Sequence, residues 1–338
     1  MPLLEVKDLS VSFVTDDGVV KAVRNVSFDL DRGKTLGIVG ESGSGKSVCT
    51  QTITGLTRGA RVSGEAWFDG NELTSAPSHL LRQIRGVQIG MVFQDPLSSL
   101  HPAYKVGWQI TELIHAHDKS ISGKDARARA AELLGLVGIP RAADRLDDYP
   151  HQFSGGMRQR VMIAMAMALN PQLLIADEPT TALDVTVQAQ VLNVMRRLQE
   201  EFGTAIVLIT HDLGVVAEMA DDVVVMYAGK IMEKASRREI FYRHHNPYTE
   251  GLFASLPGRL PTRARLRSIK GSPPSLINLP VGCPFRPRCP YAFDKCAEDP
   301  PLLEVFRDPE QRSACWLPSD VADREEARAR LIDEEESA

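Results

Sequence analysis

A short apolar run, Leu36-Gly37-Ile38-Val39, leads directly into Gly40-Glu41-Ser42-Gly43-Ser44-Gly45-Lys46-Ser47. The second part fits the pattern G-x-x-x-x-G-K-[ST]. A strand in front and a helical pattern behind supply the context that the pattern needs. The glycines let the backbone turn its N–H groups toward phosphates. The helix that follows points its positive end at the same place. Lys46 is suited to neutralise the β- and γ-phosphates, and the Ser47 hydroxyl to ligate Mg²⁺. The stretch predicts an α/β protein built around a phosphate loop.

The rest of the chain supplies matching pieces. The run Leu173-Leu174-Ile175-Ala176-Asp177-Glu178 ends a buried-type strand in two acids. Asp177 fits a metal-facing carboxylate, and Glu178 a general base for an attacking water. Phe153-Ser154-Gly155-Gly156-Met157-Arg158-Gln159-Arg160 opens a long apolar helix, with Ser154 as N-cap and two glycines exposing backbone N–H groups. Residues 1–94 are strand-rich, residues 95–170 carry helical periodicity, and residues 171–257 alternate strands such as AIVLIT and VVVMYA with helical stretches. Such alternation implies a mostly parallel sheet.

Composition sets outer bounds. With 338 residues the chain has room for roughly two domains at about 150 residues each. The formal net charge of −5 argues against a globally basic nucleic-acid binder. The longest apolar run, Val161–Leu169, is less than half of the about 20 residues that a spanning helix needs. The start, MPLLEVKDLS, lacks the basic and apolar regions of a secretory signal. The expected location is the cytosol, with attachment to a membrane protein allowed.

Taken together, the phosphate loop, Gln94 in FQDP, SGGMRQR, LLIADEP, Leu183-Asp184 and Thr210-His211-Asp212 resemble, in order, the motifs of ABC transporter nucleotide-binding subunits over residues 3–257. The resemblance implies a P-loop ABC ATPase fold: a RecA-like core, an antiparallel β-subdomain, an α-helical subdomain over 95–170, and a small C-terminal cysteine-rich extension. It also implies the site. Phe13 stacks on adenine. Gly40, Glu41, Ser42, Gly43, Ser44, Gly45, Lys46, Ser47 and Val48 hold the phosphates. Ser47, Gln94 and Asp177 serve Mg²⁺ and its waters, Glu178 polarises the attacking water, and His211 contacts the γ-phosphate. Ser154, Gly155 and Gly156 serve the ATP of an opposing subunit, and Asp184 lies at the dimer seam. The stretch around Gln94 and DPLSSLHPAYKVG is where family members receive a permease helix. Met157 departs from the common signature, which has Gln there.

Beyond residue 245, Asn246-Pro-Tyr-Thr-Glu-Gly-Leu and GSPPSLINLPVGCPFRPRCPYAFDKC are similar to the C-terminal region of oligopeptide and dipeptide importer ATPases, the D-type subunits. The organisation expected is a nucleotide-binding part at 1–257, an extension at 258–318 and an acidic tail at 319–338. Cys283, Cys289, Cys296 and Cys315 follow C-x5-C-x6-C-x18-C. Zinc sites usually carry closer pairs. Four thiolates on longer arms suit a [4Fe–4S] cluster, whose irons are spread out, and Arg286 and Arg288 are placed to offset its charge. Zinc and a metal-free extension are the alternatives. The extension, rich in Pro, is expected to have little core. Its seven basic residues between Arg259 and Arg288, and the net −5 of residues 319–338, read as solvated surface. His244 and His245 read as solvated loop histidines, Cys49 as a small core residue, and Met162, Met165 and Met167 as packing.

The function implied is ATP hydrolysis that powers peptide import. The partners implied are two permease subunits, a second ATPase (an F-type paralogue), and an extracytoplasmic substrate-binding protein, with the chain peripheral on the cytoplasmic face of the membrane. A nickel or other small-solute importer shares these features. A soluble ABC ATPase of translation, repair or cluster assembly is the rival class. The single cassette, the short interval from Ser47 to Ser154 and the extension after Asn246 speak against it.

Overall fold

The computed structural model describes residues 1–95, 99–181, 183–255, 269–305 and 308–318, the last segment with side chains from 310. The acidic tail and the basic residues Arg259, Arg263, Arg265 and Arg267 lie outside the described residues.

The chain opens with β1 (Leu4–Thr15) and β2 (Gly18–Leu30), which pair antiparallel across the turn Asp16-Asp17. It continues through β3 (Thr35–Val39), α1 (Lys46–Ile53), β4 (Ala60–Phe68), β5 (Asn71–Glu72), α2 (Ser78–Ile84) and β6 (Ile89–Val92). Helices then take over: α3 (Val106–His117), α4 (Gly123–Leu136), the single turn α5 (Ala142–Arg145) and α6 (Gly155–Ala166). Alternation returns with β7 (Leu173–Asp177), α7 (Val185–Phe202), β8 (Ala205–Thr210), α8 (Leu213–Met219), β9 (Asp222–Tyr227) and β10 (Lys230–Ser236). The described chain closes with α9 (Arg237–Arg243), α10 (Pro247–Ala254), β11 (Leu303–Val305) and β12 (Asp308–Ser313).

Two sheets result. The smaller is antiparallel, in the order β2-β1-β4-β5. The larger runs β11-β12-β10-β9-β3-β8-β7-β6. Its five strands from β9 to β6 are parallel, and β10, β12 and β11 add antiparallel at one edge. The parallel strands are covered on both faces, which is why β3, β7 and β8 are buried along their whole length and read as continuous apolar runs.

The helices follow their sequence signals. Ser122 caps α4 by accepting a hydrogen bond from the Asp125 N–H at 3.1 Å. In α7 the residues Val191, Leu192, Val194, Met195 and Leu198 form one buried stripe at helical spacing. That helix begins at Asp184, whose side chain accepts from the Val187 N–H at 2.9 Å, and ends at Gly203 in the left-handed conformation.

Among the described residues three clusters of buried side chains form the core. One lies between α3, α4, α6 and α7 and the sheet, and takes up Met162 and Met167, with Met165 packed against it. A second lies between the two sheets and includes Cys49, fully buried on α1, whose thiol burial pushes up to about 12. The third joins β9 and β10 to Ile240, Tyr248, Phe253 and Phe285. Each such side chain contributes about 1.5–3 kcal/mol on leaving water.

This third cluster corrects the expectation of an extension with little core. Phe285 belongs to the cysteine-rich stretch, and Cys283 and Cys289 pack on the cluster. The strand β12 extends the edge of the main sheet, with Glu233 opposite Ser313 and Lys234 opposite Arg312. The histidine pair is corrected too. His245 is buried, its backbone N–H donates to Glu233 Oε1 at 2.6 Å, and its Nε2 meets the Pro318 carbonyl at 2.9 Å. Asn246 Nδ2 donates to the carbonyls of Met232 at 3.0 Å and Ala314 at 3.2 Å, and Gln311 Nε2 donates to Glu233 Oε1 at 2.9 Å. These residues stitch the extension to β10 rather than face solvent.

Candidate nucleotide site

Four neighbouring parallel strands, β3, β8, β7 and β6, present their carboxyl ends side by side. In open α/β sheets that edge is where ligands bind. The sequence places one functional segment after each strand: residues 40–47 after β3, His211 after β8, Asp177-Glu178 at the end of β7, and Gln94 just past β6.

The loop shape depends on two glycines. Gly40 has φ 151°, and a Cβ there would lie 2.1 Å from the Met226 carbonyl. Gly45 has φ 98°, and a Cβ there would lie 2.2 Å from the Ala22 carbonyl. Only glycine satisfies both demands. Gly45 also leads into α1, so the helix start opens onto the loop.

Lys46 is buried. Its ammonium donates to the carbonyls of Gly40 at 2.8 Å and Glu41 at 3.0 Å. Burial lowers its pKa, and the charges of Glu178, Asp177 and Glu41 oppose that effect. Ser47 donates its hydroxyl to Asp177 Oδ1 at 2.9 Å, joining α1 to β7. Burial raises the Asp177 pKa, and Glu178 beside it adds to the rise, while Ser47 and Lys46 hold it back. A serine hydroxyl and a carboxylate on one point form a hard oxygen set, the kind that Mg²⁺ takes with phosphate oxygens.

Glu178 is the hub of the polar face. Gln94 Nε2 donates to its Oε2 at 3.0 Å, Thr181 Oγ1 donates to the same oxygen at 2.9 Å, and His211 Nδ1 lies 3.3 Å from Oε1. Its backbone has φ 48°, a conformation uncommon for a residue with a side chain, and its N–H donates to the Ile209 carbonyl at 2.9 Å. The strained turn is tied down by β8 and aims the carboxylate out of the strand end.

The structure therefore brings together Lys46, Ser47, Gln94, Asp177, Glu178 and His211. Val48 is half-buried on α1 and packs on the second core cluster, as does Phe13 on β1. Ser154, Gly155 and Gly156 make a separate feature. Ser154 caps α6 by accepting from the Met157 N–H at 3.4 Å, and a Cβ on Gly156 would lie 2.3 Å from Val187 on α7. The signature start is thus packed against the helix that Asp184 begins.

The cysteines have a setting of their own. Cys283, Cys289, Cys296 and Cys315 line one cavity, together with Phe285 and Arg286. Burial raises the pKa of Cys283 and Cys289, while backbone N–H groups directed at their sulfurs act against it. Among the described residues no group of three or more His, Cys, Asp or Glu side chains is gathered tightly enough to hold a metal ion. Arg288 departs from expectation. Its side chain is 6% exposed, and it pairs with Glu41 of the phosphate loop. Sequence spacing carries no sign of that pairing, because the partners lie 247 positions apart.

Comparison with known proteins agrees with this geometry. The family model described as "ABC transporter" matches residues 23–181, and that described as "Oligopeptide/dipeptide transporter, C-terminal region" matches residues 232–296. The chain is 50% identical over 317 residues to the oligopeptide transport ATP-binding protein OppD of Salmonella typhimurium, covering 94% of each. It is 51% identical over 318 residues to the dipeptide transport ATP-binding protein DppD of Lactococcus lactis, covering 93% of this chain and 90% of that one. Among solved structures, the dimeric post-hydrolysis ATP-binding cassette MJ0796 bound to ADP and Pi superposes with a TM-score of 0.63 at 28% identity, covering 70% of this chain and 99% of that one. CbiO1 of Clostridium perfringens, part of the transporter complex cbiONQ, gives 0.61 at 29% identity, covering 72% and 91%.

Proposed function

Because the chain belongs to the ATP-binding subunits of the oligopeptide and dipeptide ABC transporters, ATPases that power peptide import, we propose a division of labour among its residues. Residues 40–48 hold the phosphates of ATP, and Phe13 stacks on the adenine. Ser47, Asp177 and Gln94 would hold Mg²⁺ and its waters, which supply charge neutralisation at the phosphates when bound. Glu178 takes the proton of the attacking water, and His211 contacts the γ-phosphate. Catalysis is then mainly positioning and charge stabilisation.

The observation that carries this reading is the convergence of Gln94, Thr181 and His211 on the Glu178 carboxylate, beside the Ser47–Asp177 pair. A base held by a glutamine and a histidine from two other strands is fixed in direction before substrate arrives.

The position of Ser154–Gly156 on a separate helix start supports a two-subunit site, in which these residues reach the ATP of a partner ATPase and Asp184 lies at the seam. The dimeric cassette that bound ADP and Pi is a precedent for that arrangement. The partner is a paralogous ATPase of the F type, and the two subunits join two permeases and an extracytoplasmic binding protein on the cytoplasmic face of the membrane. No helix among the described residues is long and apolar enough to cross a membrane. The groove between Leu56, Phe93, Leu113 and Met165, next to Gln94, offers apolar lining for a permease helix. The division into 1–257, 258–318 and the acidic tail 319–338 is part of this proposal.

For the cysteines we propose a [4Fe–4S] cluster in place of zinc. Four thiols spread around one cavity fit a cube of separated irons better than a single ion, and N–H groups facing the sulfurs suit bound thiolates. The role is structural.

The test is anaerobic affinity purification of the tagged chain from detergent-solubilised native membranes, with iron analysis. Recovery of two multi-span proteins, a second ATPase and a solute-binding protein, with bound iron, is expected. Recovery of ribosomal, repair or cluster-assembly proteins alone would overturn the transport reading, and an iron-free extension would overturn the cluster.

A further inference from the structure

The cysteine-rich extension grips the phosphate loop through one side chain. Arg288 stands just before Cys289, in a tight turn whose Arg288 N–H donates to the Phe285 carbonyl at 2.9 Å. Its Nη1 donates to Glu41 Oε2 at 2.6 Å and to the Tyr227 hydroxyl at 3.1 Å. Its Nη2 donates to Glu41 Oε1 at 3.0 Å, and its Nε donates to the Lys270 carbonyl at 3.0 Å. The guanidinium also lies 5.7 Å from the centre of the Tyr227 ring. This is a two-pronged carboxylate clasp, with the arginine side chain 6% and the glutamate side chain 26% exposed.

Glu41 is held from its other sides as well. Its backbone N–H donates to the Tyr248 hydroxyl at 3.0 Å, and its carbonyl accepts from Lys46 Nζ at 3.0 Å. Tyr227, Tyr248 and Phe285 pack on one another with ring centres 4.6–5.5 Å apart, so the clasp rests on a rigid aromatic base. A tail anchor alone would serve on any surface carboxylate. This one ends on the residue whose carbonyl, with that of Gly40, sets the direction of the Lys46 ammonium.

We propose that Arg288 is a positioning residue for ATP binding: through Glu41 it fixes the first turn of the phosphate loop and so the aim of Lys46, making the extension part of the nucleotide-binding machinery. A loop fixed before ATP arrives loses less freedom on binding, so the effect falls on affinity. Hydrolysis at Glu178 rests on other strands and is little touched. The inference rests on the reading of residues 40–47 as the ATP phosphate loop.

The experiment is titration of the full-length chain with ATP, together with KM and kcat for ATP in the assembled transporter. Arg288→Ala and Arg288→Lys are each expected to raise Kd and KM about tenfold, the loss of a charged hydrogen-bond pair, with kcat little changed; Glu41→Gln, in the phosphate loop itself, is expected to raise Kd and KM at least as much. The double variant Arg288→Ala/Glu41→Gln should be no worse than Glu41→Gln alone, and the exchange Glu41→Arg with Arg288→Glu should restore part of the affinity. If Arg288→Ala unfolds the extension, as limited proteolysis would show, Glu41→Gln decides, since Arg288 keeps Tyr227 and Lys270. Wild-type Kd and KM in Glu41→Gln would overturn the inference. A wild-type chain that binds no ATP would overturn the nucleotide reading itself.

Discussion

Glu178 sits in a left-handed turn with its carboxylate held from three sides, and it is the residue we propose as the base for the attacking water. Replacing it with Gln keeps the shape and removes the proposed base. Glu178→Gln should cut ATP turnover by about 10²–10⁴-fold while ATP stays bound; near-normal turnover would exclude the role. Its neighbour Asp177 has a pKa raised above the ordinary 3.8 by burial. The folded state therefore holds that proton more tightly than the unfolded state, and stability falls as pH rises from 3.8 through the raised value. Above that window the cost of the buried charge is fully present. Asp177→Asn should accordingly raise the melting temperature of the nucleotide-free protein at neutral pH, show no gain below pH 3.8, and lose Mg²⁺-dependent hydrolysis. Scanning calorimetry at both pH values, with an ATPase assay, checks the pair of effects. These two residues were legible in the sequence because the acids close an apolar strand. Arg288 was not legible, because an arginine between prolines and cysteines looks the same whether it faces water or a carboxylate far along the chain.

At the scale of elements, the parallel strands and their helices followed directly from local pattern. The runs at Thr35–Val39, Leu173–Asp177 and Ala205–Thr210 are short and apolar throughout, and α7 carries its stripe between an Asp cap and a Gly stop. The extension was harder. The strand β12 reads Asp-Pro-Glu-Gln-Arg-Ser, which has no apolar alternation, and joins the sheet at its edge through a two-residue register with β10. Such a strand, seated between β11 and β10, is held by tertiary partners, here the buried Glu233 and its donors from His245, Asn246 and Gln311, which propensity does not report. The turn bearing Arg288 shares its short backbone bonds with the cysteines: the Cys289 N–H donates to the Arg286 carbonyl, and the Cys283 N–H to that of Cys296. With the proposed cluster in place, Cys289→Ser should lower bound iron and, by loosening this turn, weaken ATP binding several-fold. Iron analysis and ATP titration of the same preparation would check it; unchanged iron with unchanged affinity would speak against both the cluster and its link to the loop.

At the scale of the whole molecule, the sheet edge that carries the polar residues of β3, β8, β7 and β6 is, in the proposed function, one half of a two-subunit site. Ser154–Gly156 start a separate helix, and the apolar groove beside Gln94 is formed by both the helical part and the sheet. Closing on ATP against a second ATPase would move that groove, and with it a permease helix seated there. The fold and this edge were readable from one sequence, since each strand end carries its own motif. The partner surfaces were readable only through family resemblance, because no residue pattern within one chain encodes the shape of another. The most direct test of the central claim is uptake of a labelled oligopeptide by cells from which this chain has been deleted, then restored as wild type or as Lys46→Ala. ATP-powered import by this subunit predicts that uptake is lost on deletion, returns with the wild-type chain and stays absent with Lys46→Ala present in the membrane at the same level. Uptake at the wild-type rate in the deleted cells or with Lys46→Ala would contradict it.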